Sequence, residues 1–400
     1  MPAEPGRVAI LSAVRTPIGK FGGALRSTPA VRLGVITVVE ALRRAHVTPS
    51  DIPELLFGQS IQAGAGQNPA RQVLLGSGGS VEAGAATVNM VCGSAMKSII
   101  LAAAEIESRQ FPIAVAGGME NMSQAPYLLP AQVRWGTKLG SVALDDAMMR
   151  DSLLDAYGEH LQMGQTGERI AAKFQLKREE VDAYALRSHL AAARARDDGT
   201  FAQEVVPVPA AETPGARGLE RDEGPRGDST PEGLRALKPV FEPNGVLTAG
   251  NSAQLSDGAA AVVLASEEEA RRRGATPLAW IHSSQVSGVA PLDVMEAPIP
   301  TVRAHLKRTG FSPAEFDRVE HNEAFSSASV VVQRTFGFTE GQFNVHGGAV
   351  ALGHPIGASG CRIVVTLLHE LVRANGRLGL ATLCMGGGNG LSMILDRRDL

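Results

Sequence analysis

The sequence predicts an α/β fold in which helices cover largely buried sheets, and three observations lead to that prediction. Apolar runs of strand length alternate with amphipathic stretches of helix length toward both ends of the chain. Glycine is frequent, at 45 of 400 residues, and it collects where the predicted strands end. Hydrophobic residues make up 44% of the chain, which supplies enough apolar surface for a deep core.

The first third of the chain alternates between predicted strands and helices. Residues 7–14 (RVAILSAV) form an apolar run of strand length, and the turn-forming Pro17 and Gly19 end it. Residues 31–45 carry apolar positions at helical spacing and have basic residues near their end, as the C-terminus of a helix prefers. The elements predicted next are strands over 54–61, 87–91 and 113–116 and helices over 68–75 and 93–108.

The middle of the chain, residues 123–247, departs from this alternation. Amphipathic helices are predicted over 164–175 and 178–196, and residues 211–233 are rich in glycine, proline and charge, which indicates a linker or surface loop. The alternation then resumes, with predicted strands over 259–265, 278–282, 317–321 and 378–384 and helices over 300–309, 323–336 and 361–374.

The two ends of the chain resemble each other at low resolution. In each, a turn of small residues opens a helix that leads to a short strand and then to a glycine-rich turn containing methionine, at residues 117–119 and 385–388. The pattern indicates a duplicated half-domain, although two unrelated helix–strand units explain it equally well.

Composition and charge argue against several classes of protein. The 38 basic and 41 acidic residues leave a net charge of −3 without a long basic run, so no nucleic-acid partner is expected. No apolar run approaches the roughly 20 residues that span a bilayer, so no membrane partner is expected either. The start of the chain carries Glu4 and no arginine-rich amphipathic stretch, which leads us to expect a cytoplasmic protein without a targeting segment.

The chain has three cysteines, Cys92, Cys361 and Cys384, which are too few and too widely spaced for a disulfide framework or a zinc knuckle. We therefore expect a reducing compartment and no bound metal. Cys92 lies in VCGSAMKS, where a predicted strand passes into a helix. The free amides and the dipole of a helix N-terminus favour the reactive thiolate, although a small residue buried at a strand end is the alternative interpretation.

Three more positions place reactive side chains beside glycines or at strand ends. His354 lies in GGAVALGHPIGASG, where glycines permit close backbone approach, although a surface-loop histidine would give the same pattern. Cys384 ends a predicted strand and enters a glycine-rich turn whose amides could bind an oxyanion. Asn322 and Glu323 follow another strand, where they could hold a water beside a histidine or cap a helix. Jointly these strand ends predict an active site.

Taken together, these segments resemble the thiolases, the family of acetyl-CoA acetyltransferases and 3-ketoacyl-CoA thiolases. The matching stretches follow the family's order over nearly the whole chain: AVRTPIGKFGG (13–23), QAGAGQNPARQ (62–72), VNMVCGSAMKS (88–98), AGGMENMSQAPY (116–127), LTAGNSAQLSDGAAA (247–261), NEAF (322–325), NVHGGAVALGHPIGASG (344–360) and CMGGGNG (384–390).

The resemblance implies two similar βαβαβαββ halves that form a five-layered αβαβα core with an inserted loop domain. On this basis residues 1–123 and 248–274 form the N-terminal half and residues 275–400 the C-terminal half. Residues 124–247 form the inserted loop domain on the coenzyme A side, in agreement with the break in the alternation. Because the family usually assembles, we expect a homotetramer or homodimer.

The resemblance also implies Claisen chemistry on coenzyme A thioesters, with acetyl-CoA, acetoacetyl-CoA and CoA as partners and no cofactor. Cys92 matches the nucleophile that becomes acylated, and His354 matches the base that activates it. Cys384 matches the second acid/base, which exchanges a proton with the second acetyl-CoA. Asn322 would hold a water that forms one oxyanion hole with His354, and the amides of Cys92 and Gly386 would form the other.

The matching motifs also carry over residues that contact the substrate. These residues are Arg226, Ser252, Ala253, Met163, Ala324 and Phe325. Arg226 matches a loop-domain arginine that meets the nucleotide end of coenzyme A, and a guanidinium pairs well with phosphate. Ala253 stands where many members have a serine that bonds the pantetheine, and the neighbouring Ser252 is the candidate replacement.

The sequence departs from the family pattern at two places expected in the acyl pocket. Gln162 stands where members that prefer short chains often have the histidine of a His-Met-Gly triplet. Val294 begins VMEAP, where the family has Met-Gly-x-Gly-Pro. Both positions bear on the length of the acyl chain that the pocket accepts.

An acetyl-CoA C-acetyltransferase is the activity that these residues predict, and three alternatives stay open. A degradative 3-ketoacyl-CoA thiolase would accept a broader range of chain lengths. A ketoacyl synthase-like enzyme shares the nucleophile but usually pairs it with two histidines, or with a histidine and an asparagine, so Cys384 argues against it. A non-catalytic scaffold would have no need of the four reactive side chains.

Overall fold

The computed structural model describes residues 6–400, so residues 1–5, with Glu4 of the predicted start, lie outside the described residues. The first part of the chain alternates between strands and helices as predicted. Its elements are β1 (Val8–Arg15), β2 (Gly19–Lys20), α1 (Ala30–Arg44), β3 (Glu54–Gly58), α2 (Pro69–Gly76), β4 (Gly84–Val88), α3 (Ser94–Glu107) and β5 (Ile113–Asn121).

The middle segment contributes short strands and helices outside the large sheet. These elements are β6 (Tyr127–Leu128), β7 (Asp145–Asp146), α4 (Met163–Lys173), α5 (Arg178–Asp197) and α6 (Pro231–Arg235). The alternation then resumes with β8 (Ser256–Ser266), α7 (Glu267–Arg272), β9 (Ala279–Gly288), α8 (Pro298–Thr309), β10 (Arg318–His321), α9 (Ser326–Phe336), α10 (Ala349–Leu352), α11 (Ile356–Arg373), β11 (Leu378–Met385) and β12 (Asn389–Asp396).

Strand order shows that the chain contains a duplication. The N-terminal half has the order β4-β3-β5-β8-β1, and the C-terminal half has β10-β11-β12-β9. In the C-terminal half, Phe343 forms a parallel bridge with Val319 of β10. This bridge corresponds to the parallel pairing of β4 with β3 in the N-terminal half. We number the five paired segments of each half in chain order, leaving out the short β2. Both halves then have the same spatial order, 3-2-4-5-1. The first strands, β1 and β9, pair antiparallel and join the halves.

The elements stack in five layers, with α3 and α11 in the centre. One hydrophobic cluster joins these two helices to both halves of the sheet, for example through Met96 on α3, Val262 on β8 and Leu383 on β11. A second cluster joins the N-terminal half to α1 and α2, and a third joins the C-terminal half to α8 and α9. The αβαβα architecture that the resemblance implied is confirmed, and the predicted domain boundaries stay a prediction.

The central helix α11 is buried on nearly every side, since 15 of its 18 residues are buried. Burial on all sides is expected of a helix in a central layer, and here it includes the charged Arg362 and Glu370. Gly360 allows α3 to approach, because a β-carbon at this position would lie 2.6 Å from the backbone nitrogen of Met96. The two central helices therefore meet at backbone distance, and their N-terminal ends can bring side chains from both halves together.

A buried ion-pair cluster fastens the inserted segment to the first half. Arg15, at the end of β1, donates to Glu204 at 2.6 Å and to both carboxylate oxygens of Asp222 at 2.7 and 2.9 Å. All three side chains are buried. The two terminal N–H groups of the Arg15 guanidinium bond both oxygens of the Asp222 carboxylate, and its Nε–H bonds Glu204. The positive charge of Arg15 is therefore paired inside the protein.

One predicted strand has different bounds in the structure, and one strand of the sheet was not predicted. The strand predicted over 87–91 ends at Val88, because Asn89 begins the tight turn that leads into α3. The sequence also gave no signal for β12, which follows the glycine-rich turn after β11. Among residues 6–400, no helix combines the length and the apolar character that crossing a bilayer requires.

Candidate active site

Cys92 lies in a tight turn between β4 and α3, two residues before the helix begins. The preceding Val91 has a φ of +49°, which is rare for a β-branched residue. Such backbone strain costs on the order of 1–3 kcal/mol and often marks functional sites. Ser94 holds the turn, because its hydroxyl donates to the Val91 carbonyl at 2.6 Å and accepts from the Met90 amide at 2.9 Å.

His354 reaches Cys92 from the C-terminal half, at the turn that leads into α11. Its Nε2 lies 3.3 Å from the Cys92 Sγ, and its Nδ1 lies 2.6 Å from the hydroxyl of Ser359. Ser359 donates its own proton to the carbonyl of Pro355 at 2.9 Å, so it accepts from Nδ1. This hydrogen-bond network places the imidazole proton on Nδ1 and directs the Nε2 lone pair at the thiol.

Both members of this pair are neutral at rest. Desolvation raises the pKa of the Cys92 thiol to about 12, although the amides of Gly386 and of Cys92 itself lower it. Desolvation, aided by repulsion from Arg362, lowers the pKa of His354 to about 3. The amides near the helix terminus thus lower the pKa of the Cys92 thiol, as expected, but burial raises it by more.

Cys384 lies at the end of β11, next to the turn that joins β11 to β12. Gly387 and Gly388 in this turn both have a φ of +85°, which glycine adopts without the steric cost of a side chain. Burial raises the pKa of the Cys384 thiol to about 12. The amide of Gly386 points at the Cys92 sulfur, so this turn, which follows Cys384, also contacts Cys92.

Asn322 directly follows β10. Because β10 and β11 are parallel neighbours, Asn322 and Cys384 lie at the same edge of the sheet, at the carboxyl ends of these strands. It is fully buried, and both polar atoms of its side chain lack a partner among the described residues, which leaves them free for a bound group. Glu323 points elsewhere and accepts from Tyr184 at 2.9 Å and from Ser188 at 2.7 Å, both on α5. Neither residue caps α9, whose N-cap is Phe325.

A single cavity of about 70 Å³ joins most of the predicted site. The predicted residues that line it are Cys92, Met163, Ala253, Ala324, Phe325, His354, Cys384 and Gly386. Val294, which departs from the family pattern, also lies in its wall. Residues from both halves and from the inserted segment thus enclose one largely apolar space with a few convergent polar groups, as expected of a ligand site.

Four predicted positions are not part of the cavity wall, and Asn322, described above, is one of them. Ser252 is buried, and its hydroxyl lacks a partner within residues 6–400. Arg226 is exposed. Its loop is held near the cavity because the side chain of Gln254 donates to the Gly224 carbonyl at 3.2 Å. Gln162 is exposed at the start of α4, next to Met163 in the cavity wall, so its effect on the acyl pocket stays a prediction.

Sequence reasoning missed Ser359 as the partner of His354. The predicted helix began at residue 361, whereas α11 begins at Ile356 and places Ser359 in its first turn. A hydroxyl five residues after His354, in the first turn of a helix, would have been the signal. The error therefore came from the predicted helix boundary.

Glu120 was missed as well, because the predicted strand stopped at residue 116 and β5 continues to Asn121. Its carboxylate is fully buried and accepts from the amides of Ser60 at 3.0 Å and Gly357 at 2.9 Å. Burial raises the pKa of Glu120 to about 8. Through these bonds Glu120 ties the loop after β3 to the first turn of α11, beside His354.

Comparisons with known proteins agree over the full length of the chain. Residues 8–268 match the family described as thiolase, N-terminal domain, and residues 275–397 match thiolase, C-terminal domain. The chain is 46% identical over 389 residues to the acetyl-CoA acetyltransferase of Escherichia coli strain K12, which covers 97% of this chain and 98% of that protein. It is 43% identical to the cytosolic acetyl-CoA acetyltransferase of Rattus norvegicus, across 99% of this chain and 100% of the rat protein.

A solved structure extends these comparisons to three dimensions. The crystal structure of the Bacillus anthracis acetyl-CoA acetyltransferase matches with a TM-score of 0.95 and 39% sequence identity. The match covers 98% of this chain and 99% of that chain.

The raised pKa of Cys92 predicts that its thiol stays protonated near neutral pH. Since the thiolate forms only as the pH approaches the pKa, we expect no thiolate absorbance from Cys92 between about pH 6 and pH 8. The ultraviolet difference spectrum of wild type minus Cys92→Ser measures this directly, and wild type minus Cys361→Ser is the control for a fully buried thiol. A full thiolate signal at pH 7 would mean that Cys92 and His354 rest as an ion pair.

Proposed function

This chain belongs to the thiolase family, and from that premise we propose that it interconverts two molecules of acetyl-CoA with acetoacetyl-CoA and CoA through an acyl-cysteine. The observation that carries the proposal is the 3.3 Å contact between the Cys92 thiol and the His354 imidazole in one cavity with Cys384. The names of the bacterial and rat relatives support the same substrate.

In the thiolysis direction, the Cys92 sulfur attacks the ketone carbonyl of acetoacetyl-CoA. His354 takes the thiol proton on Nε2 as the sulfur–carbon bond forms, which suits a neutral pair whose imidazole presents its lone pair. The bond between the carbonyl carbon and the α-carbon then breaks. Acetyl-Cys92 remains on the enzyme, and the leaving group is the enolate of acetyl-CoA.

Cys384 donates its thiol proton to the α-carbon of that enolate and releases acetyl-CoA. The raised pKa of Cys384 suits this role, because the residue holds its proton until the carbanion forms. The sulfur of CoA then attacks acetyl-Cys92 and gives its proton to the Cys384 thiolate. The bond between the acetyl carbon and the Cys92 sulfur breaks, the second acetyl-CoA leaves, and the proton on His354 returns to Cys92. The cycle therefore closes with every proton accounted for, and condensation is the same sequence reversed.

Two sets of donors stabilise the oxyanions in this scheme. The amides of Cys92 and Gly386 point at the Cys92 sulfur, where the acyl oxygen forms. Asn322, whose side-chain amide is free, holds a water that with His354 forms the second oxyanion hole. One such donor is worth about 2.7–4 kcal/mol in comparable enzymes. Arg226 meets the nucleotide end of coenzyme A from its exposed loop, and Ser252 and Ala253 lie along the pantetheine.

The size of the cavity favours a short acyl chain over the broader range of a degradative thiolase. A cavity of about 70 Å³ has room for roughly five water-sized groups. Met163, Val294 and Phe325 close it with apolar walls. A cytoplasmic location, as in the rat relative, and the use of coenzyme A thioesters without a cofactor complete the proposal.

The proposal is tested by thiolysis of acetoacetyl-CoA and of longer 3-ketoacyl-CoA substrates. We expect turnover of the four-carbon substrate to exceed that of longer ones, and Cys92→Ser to lower it by more than about a thousandfold, because the nucleophile is lost. Cys361→Ser, at a buried cysteine outside the cavity, is the matched control. Cys384→Ser should still transfer one acetyl group from labelled acetyl-CoA to Cys92. Unchanged turnover in Cys92→Ser would refute the proposal.

A homo-oligomer, as dimer or tetramer, is part of the proposal. Among the described residues, β4 pairs on one side only, with β3, so its other edge is free to pair with a second copy. The loop between β6 and β7 exposes Trp135 and Leu139 at 84% and 96%, which suits a second contact. A dimer would use one of these surfaces, and a tetramer would use both.

We expect Ala86→Lys, which places a charge on the exposed edge of β4, to shift the mass in solution toward the monomer. Light scattering after size exclusion measures the shift. Ala183→Lys, at an exposed position of α5, is the matched control and should leave the mass unchanged. An oligomer that persists in Ala86→Lys would exclude pairing through this edge.

A further inference from the structure

Glu120, near the end of β5, has a carboxyl group that connects the two halves of the chain. One of its oxygens, Oε2, accepts from the amide of Ser60 at 3.0 Å and from the amide of Gly357 at 2.9 Å. Ser60 lies in the loop after β3 in the N-terminal half, and Gly357 lies in the first turn of α11 in the C-terminal half. The other oxygen, Oε1, accepts from the amide of Ile61 at 3.3 Å. Because Glu120 is fully buried, bulk water does not compete for these bonds.

On the side of the base, Glu120 takes the place of a helix cap. The N-cap of α11 is Pro355, whose side chain has no group that could accept a bond from the amides of the first turn. The carboxyl of Glu120 accepts from the Gly357 amide instead. Gly357 also lets the helix come close to β5, since a β-carbon at this position would lie 2.6 Å from the carbonyl oxygen of Met119. The turn that carries His354 is therefore fixed against β5.

On the side of the nucleophile, a second side chain continues the connection. Asn89 donates to the carbonyl of Ser60 at 3.1 Å and accepts from the amide of Val91 at 3.0 Å. Val91 is the residue of positive φ that directly precedes the nucleophile. A series of hydrogen bonds therefore runs from the turn of the nucleophile, through Asn89 and Ser60, to the carboxyl of Glu120.

This connection does not require a charge on Glu120. Burial raises the pKa of the carboxyl to about 8, so its neutral form predominates at pH 7. A proton on Oε1 affects only the longest of the three bonds, the one from Ile61, and leaves Oε2 to accept from Ser60 and Gly357. Glutamine is therefore a close substitute for Glu120, whereas methionine has a similar length but lacks an oxygen that could accept these bonds.

We propose that Glu120 is a positioning residue that sets the 3.3 Å distance between the Cys92 Sγ and the His354 Nε2. The inference rests on the proposed function, in which His354 takes the proton of the Cys92 thiol. Glu120 lies outside the cavity wall, so it acts through the geometry of this pair. A misplacement of about 1 Å between reacting groups lowers a rate by about a hundredfold.

The test measures transfer of a labelled acetyl group from acetyl-CoA to Cys92 by rapid quenching, which separates the rate of acylation from the fraction of chains acylated. We expect Glu120→Met to lower the rate by about a hundredfold and to keep the fraction within about twofold of wild type, because the pair is misplaced in folded chains. Glu120→Gln keeps the shared acceptor and should stay within about tenfold of the wild-type rate. A purely structural loss would lower the fraction and leave the rate unchanged.

A double variant shows whether Glu120 acts through the base. In a His354→Gln background, Glu120→Met should lower the acylation rate by less than about threefold, because the pair whose distance Glu120 sets is already lost. Asp317→Ala is the matched control and should leave the rate unchanged. The Oδ2 of Asp317 also accepts from two backbone amides, at 2.7 and 2.9 Å, but it lies at the start of β10, at the end of the strand opposite the site.

If Glu120→Met does not fold, Asn89→Ala replaces it. Asn89 is exposed, so its substitution leaves the core intact, and it interrupts the same series of hydrogen bonds. We expect Asn89→Ala to lower the acylation rate by about tenfold, since it removes the bonds to Ser60 and Val91.

The outcomes separate this inference from the proposed function. Slow acylation of a full fraction of chains in Glu120→Met, or in Asn89→Ala where it replaces that variant, supports the role of Glu120. A wild-type rate in the deciding variant, or losses that multiply in the double variant with His354→Gln, overturns it while the proposed function stands. Wild type that forms no acetyl-Cys92 overturns the proposed function itself.

Discussion

The hydrogen bond between the Cys92 thiol and the His354 imidazole is the interaction that the rest of the structure serves. The two residues lie 262 positions apart, in different halves. Burial makes both of them neutral, so the pair gains nothing from a resting charge and depends on alignment instead. Alignment comes from the strained turn at Val91 on one side and from the hydrogen bond of Ser359 on the other. An aligned neutral pair in a desolvated pocket lets the proton move as the sulfur attacks.

The duplication explains how two distant residues meet. Cys92 lies two residues before α3, and His354 lies two residues before α11, which is the equivalent helix of the second half. Because these helices pack together in the central layer, with Gly360 against the backbone of Met96, their N-terminal ends are neighbours. The fold thus presents the same position twice, with a nucleophile in one copy and a base in the other.

The sequence predicted the α/β class and the four reactive residues, because glycine-flanked strand ends can be seen locally, and the resemblance supplied their roles. Ionisation could not be predicted, since the pKa of Cys92 depends on desolvation by residues distant in sequence. Ser359 and Glu120 were missed because a helix began earlier and a strand ended later than their local patterns indicated.

Nitrogen-15 NMR of the histidine side chains tests most directly whether the site rests as a neutral, aligned pair. His354 is assigned by its absence from the spectrum of His354→Gln. At neutral pH we expect a single tautomer, with a protonated Nδ1 bonded to Ser359 and an unprotonated Nε2 facing Cys92. An imidazolium signal, with both nitrogens protonated at that pH, would contradict it.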